Sequence, residues 1–168
     1  RGRADAARVE AKSEGHAAPT RARVDETDVR ADPDAYEVGR GEEGAFEYQP
    51  YKDELLDRWE ITSEAAAETA ADAIHERFRE YREAGDFPGM DMARKYLQMG
   101  WTRAPVAKYP GGQKYEDGEK REPEEWYDEE KRRISLVYKQ HLDAVREDER
   151  YRAARAAWTD GDRDGWRP

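Results

Sequence analysis

Apolar residues recur at helical spacing between residues 62 and 85. They return every three or four positions, which places them on one face of a helix. The apolar positions of this face are Ala67, Ala70, Ala71, Ile74, Phe78 and Tyr81. Thr62 or Ser63 can accept a hydrogen bond at the N-terminus of such a helix, and Gly85 can end it. The pattern predicts an amphipathic helix with one buried face.

A second periodic segment, residues 88–99, is apolar on two flanks. The two flanks are Met90, Ala93, Leu97 and Gly100, and Met92, Tyr96 and Met99. Asp86 can cap this helix, and Gly100 is predicted to end it in the left-handed conformation. A helix that is apolar on two flanks is expected to lie between neighbours. Only a short turn separates it from the preceding helix, so the two should form a helical hairpin.

The remaining periodic segments lie towards the C-terminus. A helix is predicted from Pro123 to Arg146, and a last helix over 149–158. The apolar line of the longer helix is Tyr127, Ile134, Tyr138, His141 and Val145, with Leu142 beside it. Residues 52–59 predict a short helical turn, and 36–51 predict short extended or irregular pieces around a glycine turn.

These elements predict a mostly α fold, a small single-domain helical bundle with a short irregular or β-like N-terminal segment. The expected division is a disordered N-terminal tail at 1–32, a helical domain at 33–158 and a flexible C-terminal tail at 159–168. Residues 1–32 mix both charge signs and contain few large apolar side chains, which is typical of an unfolded segment.

Composition narrows the class of protein. The chain has 168 residues, 42% of them charged and 36% hydrophobic, and a formal net charge of −10. Acidic, alanine-rich chains poor in lysine suit cytoplasm of high salt, so a halophilic or high-GC microbial source is expected. No cysteine is present, which excludes disulfides and thiolate chemistry. No apolar run has the length of a membrane span, so we expect a cytoplasmic protein with no membrane partner.

Catalytic and metal-binding patterns are absent from the sequence. His16, His75 and His141 are isolated, and no serine stands in a nucleophile-elbow context. The aspartates of 160–164 resemble the start of a calcium loop but lack its bidentate glutamate. We therefore predict no cofactor, no metal site and no catalytic residues.

Several runs of the sequence are similar to those of a known family. The longest is Gly89-Met-Asp-Met-Ala-Arg-Lys-Tyr-Leu-Gln-Met-Gly-Trp-Thr-Arg-Ala104. Shorter ones are Val38-Gly-Arg-Gly-Glu-Glu-Gly44, Pro50-Tyr51-Lys52 with Trp59, Gly111-Gly-Gln-Lys-Tyr115 and the region of Tyr151. Together, over roughly 33–155, they resemble the family catalogued as domain of unknown function 4385. The resemblance implies neither an activity nor site residues.

Residues 94–121 are locally basic within a strongly acidic chain. Cations interleaved with aromatic side chains suit phosphate contact and base stacking. The predicted contacts with nucleic acid or phosphate are Arg94, Lys95, Arg103, Lys108, Lys114 and Tyr115. The prediction is a soluble, non-catalytic binding protein whose partner, through this region, is RNA or single-stranded nucleic acid.

Three other interpretations of these residues stay open. The basic side chains can instead pair internally with acidic neighbours. The chain can be a structural module or a module that binds a protein partner. It can also be an enzyme with an unrecognised site near Asp91, Arg94 and His141. Gly39 and Gly41 around Arg40 favour a structural turn, because the lysine and longer glycine spacing of a phosphate loop are missing.

Overall fold

The computed structural model describes residues 27–103, 107–108, 113, 115–122, 125–126 and 128–161, with only the backbone at 107–108 and 125–126. Its helices are α1 (Tyr51–Leu56), α2 (Glu64–Glu83), α3 (Phe87–Arg103), α4 (Glu129–Glu147) and α5 (Glu149–Thr159). Its strands are β1 (Thr27–Asp28), β2 (Tyr48–Gln49), β3 (Ala107–Lys108), β4 (Tyr115–Glu116), β5 (Glu119–Lys120) and β6 (Glu125–Trp126). Helices dominate and every described strand is short, so the predicted mostly α fold is confirmed.

Helix α3 is the centre of the bundle. Thirteen of its seventeen residues are buried, so it has almost no solvated face. It packs against α2 and α4, which also pack against each other, while α1 and α5 cover further parts of it. The expectation from two apolar flanks, a helix enclosed by neighbours, is confirmed. The buried polar side chains of α3 must therefore find their partners inside the protein.

Helix α2 follows its sequence pattern closely. The backbone N–H of Ala66 donates to the Ser63 hydroxyl at 3.1 Å, which is the predicted cap. Gly85 has φ +67° just past the helix end, a conformation that glycine adopts without steric cost. The predicted apolar face is buried from Ala67 to Tyr81. The sharp turn at Gly85 makes α2 and α3 a helical hairpin, as predicted.

The prediction that Gly100 ends the central helix is wrong. Helix α3 continues to Arg103, and Gly100 is not among the residues with positive φ. A Cβ on Gly100 would lie 2.1 Å from the ring of Tyr138, so the glycine is needed for close packing of α3 against α4. The Ser135 hydroxyl donates to the carbonyl of Trp101 at 2.8 Å and ties the extended helix end to α4.

The predicted start of the long C-terminal helix at Pro123 is also wrong. Helix α4 begins at Glu129, where the Asp128 carboxylate accepts from the N–H of Lys131 at 3.1 Å. The preceding strand β6 instead pairs with β3, antiparallel, so that part of the chain is extended. Tyr127 lies outside the described residues. The final helix, predicted over 149–158, is α5.

The strands form three small pairs. Strands β1 and β2 are parallel, with Thr27 opposite Tyr48. Strands β4 and β5 form a hairpin closed by Asp117 and Gly118, both with positive φ, which suits the twist of a two-residue hairpin turn. The predicted N-terminal tail included Val29, which is fully buried, so ordered structure extends at least to residue 27. Residues 1–26 and 162–168 lie outside the description, and the division into domain and tails stays a prediction.

We predict that Gly100→Ala destabilises the protein by about 1 to 3 kcal/mol, because overpacking costs that much and the Tyr138 ring must shift. Alanine favours a helix over glycine by about 1 kcal/mol, so the packing term has to exceed this gain. Urea unfolding of the variant measures the difference.

Gly100→Ala in a Tyr138→Leu background is the matched control, since removal of the ring should relieve most of the cost. A Gly100→Ala protein more stable than wild type would contradict the close contact.

Candidate functional site

The carboxylate of Asp91 is fully buried near the N-terminal end of α3. Its Oδ2 accepts from the Tyr36 hydroxyl at 2.5 Å, and its Oδ1 accepts from the Tyr151 hydroxyl at 2.6 Å. Arg94, one helical turn along α3, donates to the same Oδ1 at 2.9 Å. Burial alone would raise the pKa of Asp91, but Arg94, Lys95 and the two hydroxyls together hold it below its usual value. Asp91 is therefore an ionised, fully satisfied internal anion.

The Arg94 guanidinium connects this anion to the loop of residues 39–41. It donates to the carbonyl oxygen of Gly41, to that of Gly39 at 3.1 Å and to Gln98 Oε1 at 2.9 Å. Arg155 reaches the Gly39 carbonyl from the other side at 3.0 Å. Two arginines thus hold the carbonyl groups of the glycine turn, and its structural role stays a prediction.

Above Asp91 lies a cavity of about 290 Å³ that we call the arginine pocket. It is lined by Arg40, Arg94, Arg146, Tyr151, Arg152 and Arg155. The loop contributes Arg40, α3 contributes Arg94, α4 contributes Arg146, and α5 contributes the rest. Arg94 and Tyr151 are buried and form the floor, whereas Arg40 and Arg152 are exposed and form the rim. Five guanidiniums therefore meet at one cavity of an acidic protein.

The arginines of the pocket differ in how their charge is balanced. Arg94 and Arg155 lie at 2.9 and 3.3 Å from Asp91 Oδ1 and share its charge. Among the residues that the structure describes, Arg146 donates only to the neutral Gln98 Oε1, at 3.1 Å. The guanidiniums of Arg40 and Arg152 have no hydrogen-bond or ion-pair partner among the residues that the structure describes.

The electrostatics of Arg146 agree with an excess of positive charge. Burial lowers the pKa of Arg146, and the neighbouring charges of Arg94 and Arg155 lower it further. Asp143 acts in the opposite direction but is itself paired with Lys139 at 2.5 Å. The pocket is therefore a concave surface with spare guanidinium donors, which is suited to oxyanions.

Lys95 points away from this pocket although it follows Arg94 in the sequence. Its side chain is fully buried, and its Nζ lies 4.7 Å from the ring centre of Tyr36 and 5.2 Å from that of Tyr48. Nζ has no hydrogen-bond partner among the described residues. Burial lowers the pKa of Lys95 to about 8, opposed by the carboxylates of Asp91 and Glu43. The ammonium group is enclosed mainly by aromatic faces.

The other predicted contact residues are dispersed. Arg103 is exposed, lies 3.3 Å from Glu42 and stacks over Phe46 at 5.5 Å. Tyr115 is exposed on β4. The side chain of Lys108 and all of Lys114 fall outside the described residues. Of the predicted contact residues whose side chains the structure describes, Arg94 alone lines the arginine pocket; contact of the set with nucleic acid stays a prediction.

The residues considered for an unrecognised enzyme site are only partly together. Asp91 and Arg94 are paired, but His141 lies against His75, with 2.7 Å between the Nδ1 atoms. His141 Nε2 is 3.2 Å from Asp72. Burial, with help from the nearby charges of Arg79 and His141, lowers the pKa of His75 to about 4. Among the described residues, no three His, Cys, Asp or Glu side chains gather to hold a metal ion.

Sequence reasoning missed most of the pocket. Arg146, Arg152 and Arg155 were not predicted as site residues, and Arg40 was considered only within a turn. One local signal was available. Arg152 and Arg155 are three residues apart, and Arg155 is four residues after Tyr151, so these side chains are neighbours on one helix surface.

The comparisons with known proteins identify a family. The model of the domain of unknown function DUF4385 matches residues 20–161. No curated protein and no solved structure matches the chain. Within the described part of the chain, no helix combines the length and apolar character needed to cross a membrane.

We predict that Asp91→Asn destabilises the protein by about 3 to 5 kcal/mol. Asparagine keeps the shape but removes the charge, so Arg94 stays buried without its counter-ion. Chemical denaturation measures the change. Asp143→Asn is the control, because this exposed partner of Lys139 should contribute at most about 1 kcal/mol. Equal effects of the two substitutions would contradict the central role of Asp91.

A second prediction concerns pH and Lys95. The folded pKa of about 8 lies below the ordinary 10.5, so between these values the unfolded chain binds more protons. The contribution of Lys95 to the free energy of unfolding should therefore rise with pH, by roughly 2 to 3 kcal/mol across this window, since one pKa unit corresponds to about 1.4 kcal/mol. Lys95→Met should remove this rise.

Denaturation at several pH values from 7 to 9 measures it as the difference in slope between wild type and Lys95→Met, because the buried tyrosines ionise near pH 10 in the unfolded chain and oppose the trend there. Lys131→Met, at an exposed position, should keep the wild-type slope. A Lys95→Met protein with an unchanged slope would contradict a buried, destabilised ammonium.

Proposed function

The chain belongs to the DUF4385 family, and from the site we propose that it is a non-catalytic binding protein whose arginine pocket holds a phosphate group of single-stranded nucleic acid. The observation that carries the proposal is the unbalanced charge of the pocket. Arg40, Arg146 and Arg152 face the cavity without a paired carboxylate among the described residues. Guanidinium groups donate two parallel hydrogen bonds to phosphate oxygens, so such a cluster suits phosphate.

The negative net charge of the protein strengthens the case that the arginine pocket is the binding site for an anion. A chain with a formal charge of −10 repels polyanions at long range, so attraction must come from a local group of cations. The floor of the pocket is rigid, because Arg94 and Tyr151 are fixed by Asp91. A preformed floor reduces the ordering cost of binding.

Exposed aromatic groups support nucleic acid as the ligand class. Phe46 is 39% exposed beneath Arg103, and Tyr115 is 58% exposed on β4. Bases stack on such rings with little sequence preference. The loop that carries Arg40 continues to Glu42, the ion-pair partner of Arg103, and then to Phe46, so one loop serves both the pocket and the aromatic group. We include Arg103, Lys108, Lys114 and Tyr115 in the proposed contact surface.

A catalytic role has less support. A general acid or base must exchange its proton with a substrate, whereas both carboxylate oxygens of Asp91 are occupied by tyrosine and arginine donors. His141 contacts His75 and Asp72 instead of the pocket. The arrangement favours holding a ligand over transforming it.

We predict that Arg152→Ala weakens binding of single-stranded RNA roughly tenfold or more, since a hydrogen bond to a charged group contributes about 1.5 to 3 kcal/mol. Fluorescence anisotropy with a labelled oligonucleotide, over a salt series, measures affinity. The salt dependence of the variant should be shallower, because one phosphate contact is lost.

Arg150→Ala is the matched control. Arg150 is on the same helix and also exposed, but it pairs with Glu83 at 3.5 Å and does not line the pocket. Its variant should bind as wild type does. Absence of wild-type binding at low salt would disprove the proposed function; equal losses for both variants would place the phosphate elsewhere.

A further inference from the structure

The arginine pocket holds more unbalanced positive charge than the negative charge of one internal phosphate of a strand can neutralise. Asp91 is shared by Arg94 and Arg155, which leaves Arg40, Arg146 and Arg152 without a carboxylate partner among the described residues. A phosphodiester carries one negative charge. A phosphomonoester carries nearly two at neutral pH and presents three terminal oxygens. Three uncompensated guanidiniums therefore match a monoester better than a diester.

The size and the closed floor of the pocket also favour a terminal phosphate over an internal one. Its volume of about 290 Å³ is at the lower end of the range for ligand pockets, so it has room for a phosphate and little more than its attached sugar. The floor is closed by Arg94 and Tyr151, both buried. A strand bound through an internal phosphate must leave on both sides, whereas a chain end enters from the rim alone.

Resting on the proposed function, we propose that the arginine pocket is specific for a terminal phosphomonoester, supplied either by the end of a single strand or by a mononucleotide. The rim residues Arg40 and Arg152 contact the terminal oxygens together with Arg146. The floor arginines Arg94 and Arg155 add a fixed positive field, since their guanidiniums are already bonded to Asp91 and to the Gly39 carbonyl.

Calorimetric titration with four unlabelled probes tests this specificity. One probe is uridine 5′-monophosphate. The other three are the same oligouridylate with two hydroxyl ends, with a 5′-phosphate and with a 3′-phosphate. At pH 7 either the 5′- or the 3′-phosphorylated oligomer should bind roughly tenfold more tightly than the hydroxyl-ended one. The reason is that the terminal phosphate accepts additional charge-assisted hydrogen bonds from the arginines. At pH 5 this difference should shrink, because the second phosphate pKa is about 6.

Two variants separate the pocket from the rest of the surface. Arg152→Ala should abolish the preference for the phosphorylated end, and Arg150→Ala should keep it. A monophosphate that binds as tightly as the best oligomer supports a mononucleotide as the source, and a clearly tighter oligomer supports a strand end.

Other results overturn the inference in distinguishable ways. Equal affinity for all three oligomers, with Arg152→Ala weakening each of them equally, would show recognition of an internal phosphate; the proposed function would then stand without end specificity. Absence of binding to every probe at low salt would remove both the specificity and the proposed function.

Discussion

The buried carboxylate of Asp91 is the interaction on which the rest of the structure depends. Transfer of an ion into a protein interior costs several kcal/mol unless partners replace its water. Here the partners come from distant parts of the chain, with Tyr36 from the N-terminal segment, Arg94 from α3 and Tyr151 from α5. Each of these segments must be in place before the charge is satisfied. One side chain on the central helix therefore couples the N-terminal loop and the last helix to the bundle.

The same coupling explains how an acidic protein maintains a cationic pocket. Like charges on Arg94, Arg146 and Arg155 repel one another, and Asp91 offsets that repulsion beneath the cavity floor. Arginine suits this arrangement better than lysine. Its planar group donates in several directions at once, and Arg94 uses this to reach a carboxylate, two carbonyls and an amide. Lys95 is compact and accommodates its charge against two aromatic rings instead.

Local rules predicted the fold where the decisive interactions are local. The Ser63 cap, the Gly85 turn and the apolar face of α2 depend on neighbours within a few residues. Gly100 illustrates the limit. A glycine after an apolar run is typical of a helix end, yet here its use is contact with Tyr138, thirty-eight positions away. The arginine pocket could not be predicted from the sequence for the same reason. It is formed by a loop and three helices, and no spacing in the sequence shows that these elements meet.

The arginines of the pocket are of two kinds, those fixed by internal hydrogen bonds and those exposed at the rim. Arg94 and Arg155 are committed to Asp91 and to the loop carbonyls, so they set the shape and field of the cavity before any ligand arrives. Arg40 and Arg152 sit at the rim without partners among the described residues and keep their side-chain freedom. Because Arg94 also holds the backbone on both sides of Arg40, the floor determines where one of the rim residues lies. The buried anion thus positions a cation that it does not touch, and Asp91 and the basic pocket are two ends of one network.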